Sequence, residues 1–200
     1  MEVIECIKSR RSIRSYREEP LPRDIIERII EAGKYAPSAE NRQPWRFVVV
    51  TDRKVIEELS EETRRMIADI LKRRRLRKKY RELDERETIL FLQAVAKADR
   101  DVIFHNAPAV IFIFTENRAF YDESCACAAE NMMLAAWSMG VGSCWIGFAK
   151  FLEMSKRAME MLDAPPAHHI AACLVFGYPE KVPKKAPPRN PMAGIRKWIG

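Results

Sequence analysis

The chain has 200 residues, 35 Lys and Arg against 28 Asp and Glu, a net charge of +7 and a hydrophobic share of 48%. That length suits one domain with a sizeable core, and that apolar share excludes a largely disordered polymer. Five scattered cysteines, an odd number, argue against a disulfide framework, and three histidines without a carboxylate cluster leave no convincing metal site. Met1 leads into charged Glu2, Glu5 and Lys8 rather than a long apolar leader. The apolar run 125–149 is broken by Glu130 and Asn131, so no segment reads as a membrane span. The expected setting is the cytoplasm.

In chain order, residues 3–9 read as a short helix, followed by the basic run Arg10-Arg11-Ser12-Ile13-Arg14. Pro20 and Pro22 open a helix over 23–35, whose apolar face is Ile25, Ile26, Ile29 and Ile30. Residues 36–44 are a loop by composition, and 45–51 form a β-branched strand, with Asp52 placed to cap the helix after it. Residues 60–104 read as helical and charged in their first half. Ala109 to Thr115 is a continuous apolar strand, and a helix over 122–139 ends at Gly140. A Gly-rich turn and short strand (141–148), a helix (151–162) and a buried strand (169–177) complete the order. After Pro179 the Pro-rich tail is expected to be extended and docked. Strands separated by helices imply an α+β fold in three layers, with a mixed central sheet wrapped by helices. The helix 122–139 has almost no polar face, so it must be buried all round, and a second subunit is the expected cover.

Three segments can carry chemistry. Arg10, Arg11, Ser12 and Arg14 offer three guanidiniums and a hydroxyl, a phosphate grip or else a solvated basic turn. The loop Pro37-Ser38-Ala39-Glu40-Asn41-Arg42-Gln43-Pro44 offers amides and a hydroxyl without an acid–base pair, which suits a planar heterocycle or merely a connection. Gly140 to Gly147 allows backbone to approach a ligand, with Trp145 and Ile146 able to cover a ring, or simply turns the chain.

RRSIRSY near the start, APSAENRQPWRFVVV at 36–50, AAENMMLAAWSMGVGSCWIG at 128–147, and LVFGYP at 174–179 with the basic tail KKAPPRNP together resemble the flavin-dependent nitroreductase family over nearly the whole chain. The resemblance implies a single FMN-binding domain over 1–200, a three-layer nitroreductase-like fold and an intertwined homodimer. It implies that Arg10 and Ser12 hold the FMN phosphate and ribityl chain with Arg11 assisting, and that Arg14 lies near the N1–C2=O edge of the ring and tunes its potential. Pro37, Ser38, Ala39 and Asn41 would come from the partner subunit. Cys144, Trp145, Ile146 and Gly147 would pass the ring near N5. Arg189, and more weakly Lys185, would be further phosphate cations, while the tail ending in Ile195, Trp198 and Ile199 embraces the other subunit. The implied cycle takes hydride from NADH or NADPH and passes it to a small-molecule acceptor such as a nitroaromatic or quinone, the flavin rather than a side chain doing the chemistry.

Residues 61–104, which the resemblance implies form a variable charged helical cover, are the most individual part of the chain. Lys72 to Arg81 holds eight basic residues in ten, which a solvated face, steering of an anionic substrate or phosphorylated nicotinamide, or nucleic-acid binding could each explain. The solvated face is the favoured explanation and nucleic acid the least favoured. His105, His168 and His169 are read as structural. Reductive dehalogenation and flavin or azoline oxidation are alternative reactions of the same fold.

Overall fold

Period-two burial organises the sheet. In strand β2 (Ala109–Glu116), Val110, Phe112 and Phe114 face one core while Ala109, Ile111 and Ile113 face the other. Strand β4 (His168–Gly177) divides the same way, with Val175 on the first side and Leu174 and Phe176 on the second. Both strands therefore need covering layers on both faces, which is why their sequences are apolar almost without interruption. The computed structural model describes residues 2–73 and 85–200, so most of the basic run 72–81 falls outside the described residues.

Strand β1 (Arg46–Val50) and strand β3 (Gly142–Trp145) flank this pair in the order β1-β2-β4-β3. Among the described residues every strand pairing is antiparallel, which corrects the mixed sheet expected from the sequence. The helix between β2 and β3 does return the chain in the β2 direction, but β4 is inserted between those two strands and separates them. The parallel contact that remains among the described residues is a single bridge, Ser12 to Ser143.

On one face lie α2 (Arg23–Lys34) and α5 (Tyr121–Ser138), with Ile26, Ile29, Ala128 and Met132 in the core. The other face carries α3 (Arg53–Lys72), α4 (Arg86–Ala96), a 3-10 segment (Gly147–Met154) and α6 (Lys156–Met161), contributing Ile56, Leu59, Leu92 and Leu152. Each of these Ile, Leu and Met side chains contributes about 1.5–3 kcal/mol on full burial. The expected three layers are present. Asp52 caps α3 as its sequence position predicts, its Oδ1 accepting from the N–H groups of Lys54 (2.8 Å) and Val55 (3.2 Å). Gly140, at φ +76°, ends the last turn after α5.

Three expectations are revised. The helix expected over 151–162 is two elements parted at Ser155, whose Oγ accepts from Ala158 N–H (3.2 Å) and donates to the buried carboxylate of Glu62 on α3. Residues 97–108, read as helical in part, form a loop. Helix α5 keeps one side uncovered by its own chain, the side for which a second subunit was expected: Cys127 is exposed and Glu130, Asn131 and Leu134 are half-buried. Beside it lies α1 (Val3–Ser9), tied by Trp137 Nε1 donating to Ser9 Oγ (2.9 Å) and exposing Val3, Ile4 and Ile7. The tail is extended as expected but exposed rather than docked on its own chain, with Ile195, Trp198 and Ile199 all open to solvent.

Candidate functional site

The segment after α1 is fixed against the edge strand. Ile13 N–H donates to Ser143 O (2.9 Å), Tyr16 Oη donates to Ile13 O (2.6 Å), and Arg17 N–H donates to Tyr178 O (2.9 Å). This close approach requires Gly142, since a Cβ there would lie 2.7 Å from Ile13 Cγ1. With Ile13 buried, its neighbour Arg14 is turned outward beside β3.

There Arg14 borders a cavity of about 850 Å³ between β3, the 3-10 segment, α4 and the loop after α4. Cys144, Trp145, Ile146 and Gly147 form one side, the stretch that the sequence had marked. Nothing lies within 4 Å of where a Gly147 Cβ would be, so that side is open to a ligand. Phe91, Phe148 and Phe151 supply an aromatic wall, the Phe91 and Phe148 rings 5.9 Å apart. The charged side chains lining the cavity are Arg14 and Arg100, with no carboxylate among the described residues.

Burial pushes the Cys144 thiol above its ordinary pKa, although Arg14 and a Ser12 hydrogen bond act the other way. The thiol is therefore protonated at neutral pH and is no ready nucleophile. Arg14 makes no hydrogen bond or ion pair among the described residues. A smaller hollow of about 300 Å³ joins Ser12, Arg14 and Ser15 to Lys181. Lys181 was not singled out in the sequence; it is brought there because Glu180 N–H donates to Ser15 O (3.1 Å), pairing the start of the tail with the N-terminal segment.

The other basic residues of the motif are engaged differently. Arg10 Nε lies 3.6 Å from Glu130, and Arg11 folds back to cap α1, its Nη1 donating to the carbonyls of Lys8 (2.8 Å), Ser9 (2.9 Å) and Arg10 (2.8 Å). Pro37, Ser38, Ala39 and Asn41 do not line the cavity of their own chain. Ser38 Oγ instead accepts from Gln43 N–H (3.0 Å), and Ala39 N–H donates to Ser124 Oγ (3.3 Å). Within that loop Glu40, Asn41 and Gln43 hold φ of +52°, +52° and +48°, costly conformations that often mark functional loops. Lys185 and Arg189 are exposed and without partners among the described residues.

His105 is the residue that sequence reasoning set aside and the fold brings in. It lines the cavity at φ +58° from a loop that Asp101 organises. Asp101 Oδ1 accepts from Ser60 Oγ (2.6 Å), Ile103 N–H (3.0 Å) and Phe104 N–H (2.9 Å), and Oδ2 accepts from Asn106 N–H (2.9 Å). Removing four such bonds with Asp101→Ala is expected to cost about 2–4 kcal/mol in denaturant unfolding. A loss below about 0.5 kcal/mol would contradict this role.

Burial, with a smaller push from Arg14, lowers the His105 pKa from its ordinary 6.5 against an opposing effect of Asp101. The unfolded chain then binds the proton first as pH falls. The contribution of His105 to stability is present above 6.5 and lost as pH drops through the folded-state value. His105→Asn, which tolerates the left-handed backbone, is expected to flatten the decline of Tm between neutral and mildly acidic pH. Parallel Tm curves for the two proteins would contradict it. His169 instead pairs with Asp122 (2.7 Å) and His168 with Pro166 O (2.9 Å), and neither lines the cavity.

The Nitroreductase family model matches residues 7–178. The chain belongs to the Nitroreductase family. Its fold agrees with that of a nitroreductase with bound FMN from Bacteroides fragilis, at TM-score 0.80 and 28% identity, covering 98% of this chain and 100% of the other. It is 29% identical over 182 residues to an Archaeoglobus fulgidus protein named "Putative NADH dehydrogenase/NAD(P)H nitroreductase", covering 90% of this chain and 86% of the relative. An iodotyrosine deiodinase from Thermotoga neapolitana is 28% identical over 187 residues, 93% of this chain and 92% of the relative. As a member of the Nitroreductase family the chain is an oxidoreductase. Among the described residues no helix is long and apolar enough to cross a membrane.

Proposed function

We propose that this chain is a single-domain, FMN-dependent oxidoreductase over residues 1–200 that moves two electrons from NADH or NADPH to an organic acceptor, a quinone or nitroaromatic. The observation that carries the reading is a largely apolar, aromatic-walled cavity with guanidiniums and, among the described residues, no carboxylate, left open at Gly147 beside Arg14. Such a cavity fits a planar ring with electron-rich edges better than it fits hydrolytic chemistry. FMN, when bound, supplies the hydride and electron transfer. For a quinone the balance is quinone + NAD(P)H + H⁺ giving hydroquinone + NAD(P)⁺.

The residues of the chain bind, orient and exclude water. Arg14 would hold the polar edge of the ring, and Cys144 to Gly147 would support it. Ser12 and Lys181, with Arg10 and the tail cations Lys185 and Arg189, would hold the phosphate and ribityl chain. Arg11 would act by fixing the turn after α1, since its guanidinium caps that helix. Pro37, Ser38, Ala39 and Asn41 would complete the site from a partner subunit, and the exposed Val3, Ile4 and Ile7 with the apolar tail supply a surface for such a homodimer. Five free cysteines suit a reducing, cytoplasmic setting. The deiodinase relative favours a second reading, reductive removal of halogen from an aromatic ring on the same site.

The test mixes FMN-loaded protein anaerobically with NADH or NADPH, then with a quinone, a nitroarene, a halophenol or oxygen. Bleaching of the flavin by a nicotinamide and faster return with quinone or nitroarene is expected. Failure of both nicotinamides to bleach it would overturn the reductase reading, and return with the halophenol alone would favour the second.

A further inference from the structure

We propose that Arg100 makes this site selective for a planar aromatic acceptor that carries a carboxylate-class anionic group; the inference rests on the functional reading above. Arg100 belongs to the loop after α4 and borders the same cavity as the aromatic wall. That wall is continuous: Phe148 lies between Phe91, at 5.9 Å and 35°, and Phe151, at 6.2 Å and 21°. Phe91 is 58% exposed at the edge of the cavity, so ring surface is available there to stack on a flat ligand.

Of the two lining guanidiniums, Arg14 is allotted to the cofactor. Arg100 is left over, exposed and without a hydrogen bond or ion pair among the described residues. The carboxylates nearest in sequence do not neutralise it. Asp101 spends both oxygens on Ser60 and the backbone of its own loop. Asp99 and Glu61 share a separate polar hollow of about 280 Å³ with Arg100 but form no ion pair with it. A neutral arene would gain only the phenylalanine contacts. An aromatic acid gains those and a charge-assisted fork from Arg100. Arg100 takes no electron or proton; it positions the ring, and the redox balance is that already given.

The experiment measures reoxidation of the reduced, FMN-loaded protein by 4-nitrobenzoate and by its neutral methyl ester, each normalised to the same reaction of free reduced FMN. Because Arg100 is exposed and partly screened, the expected preference for the acid is roughly three- to tenfold. Arg100→Gln is expected to abolish that ratio, Arg100→Lys to retain part of it, and Arg23→Gln, a charge on a surface that does not line the cavity, to leave it intact. Benzoate, followed by perturbation of the flavin absorbance of the oxidised protein, is expected to bind the parent protein and to bind Arg100→Gln more weakly. The inference is overturned by equal normalised rates, by a preference that survives Arg100→Gln, or by an equal loss in Arg23→Gln. It is overturned too if Arg100→Gln slows reduction by NADPH but leaves the acceptor ratio alone, which would make Arg100 a nicotinamide-phosphate contact. If no acceptor, quinone included, reoxidises the protein, the functional reading fails; whether or not the nitro compounds react, benzoate binding still decides the role of Arg100: weakened binding in Arg100→Gln supports it, and unchanged binding overturns it.

Discussion

Gly147→Leu is expected to weaken FMN binding by roughly tenfold to a hundredfold while leaving the stability of the apoprotein nearly unchanged. Two independent facts meet at this position. Gly147 lines the large cavity, and a Cβ built on it has no neighbour within 4 Å, so added carbon enters space that the protein itself does not fill. An ordinary packing glycine behaves oppositely. At Gly142 a Cβ would run into Ile13 at 2.7 Å, and the cost of substitution would fall on the fold. Flavin titration together with a thermal melt of the apoprotein separates the cases. Unaltered FMN affinity in Gly147→Leu would show that the ring does not occupy this part of the cavity.

Arg14→Ala is expected to lower FMN affinity by about tenfold, or to lower the potential of the bound flavin. A hydrogen bond to a charged group contributes about 1.5–3 kcal/mol, and the exposure of Arg14 sets the effect at the low end of that range. The same substitution should move two titrations in the apoprotein. Arg14 pulls the pKa values of both His105 and Cys144 downward, so both should rise when its charge is removed. An NMR titration of His105 reads this without any ligand present. If the His105 titration stays put and FMN binding and potential are unaltered, Arg14 does not face the site.

Much of the fold is legible in the residues because the forces involved are local or periodic. The continuous apolar runs at 109–115 and 169–177 announce strands buried on both faces, and they are the central pair of the sheet. Asp52 and Gly140 mark the helix start and helix end that they cap. Strand direction was not legible, because the insertion of β4 between β2 and β3 is decided by tertiary packing that no single segment records. Ser155 splits an apparent helix through its bond to Glu62, 93 residues away. The same limit explains the site. Arg14 and Cys144 to Gly147 were legible as motifs, whereas Arg100 and His105 reach the cavity only once Asp101 has gathered the loop after α4, and Phe91 only once α4 itself has packed beside the 3-10 segment. Arg11 shows the converse: a motif arginine whose guanidinium serves the backbone of α1.

The most direct test is a titration of the flavin-free protein with FMN, followed in the visible spectrum. One FMN per chain should bind, with shifted and resolved flavin bands as the ring leaves water for the aromatic cavity. A spectrum that stays that of free FMN throughout the titration would contradict the assignment of this cavity.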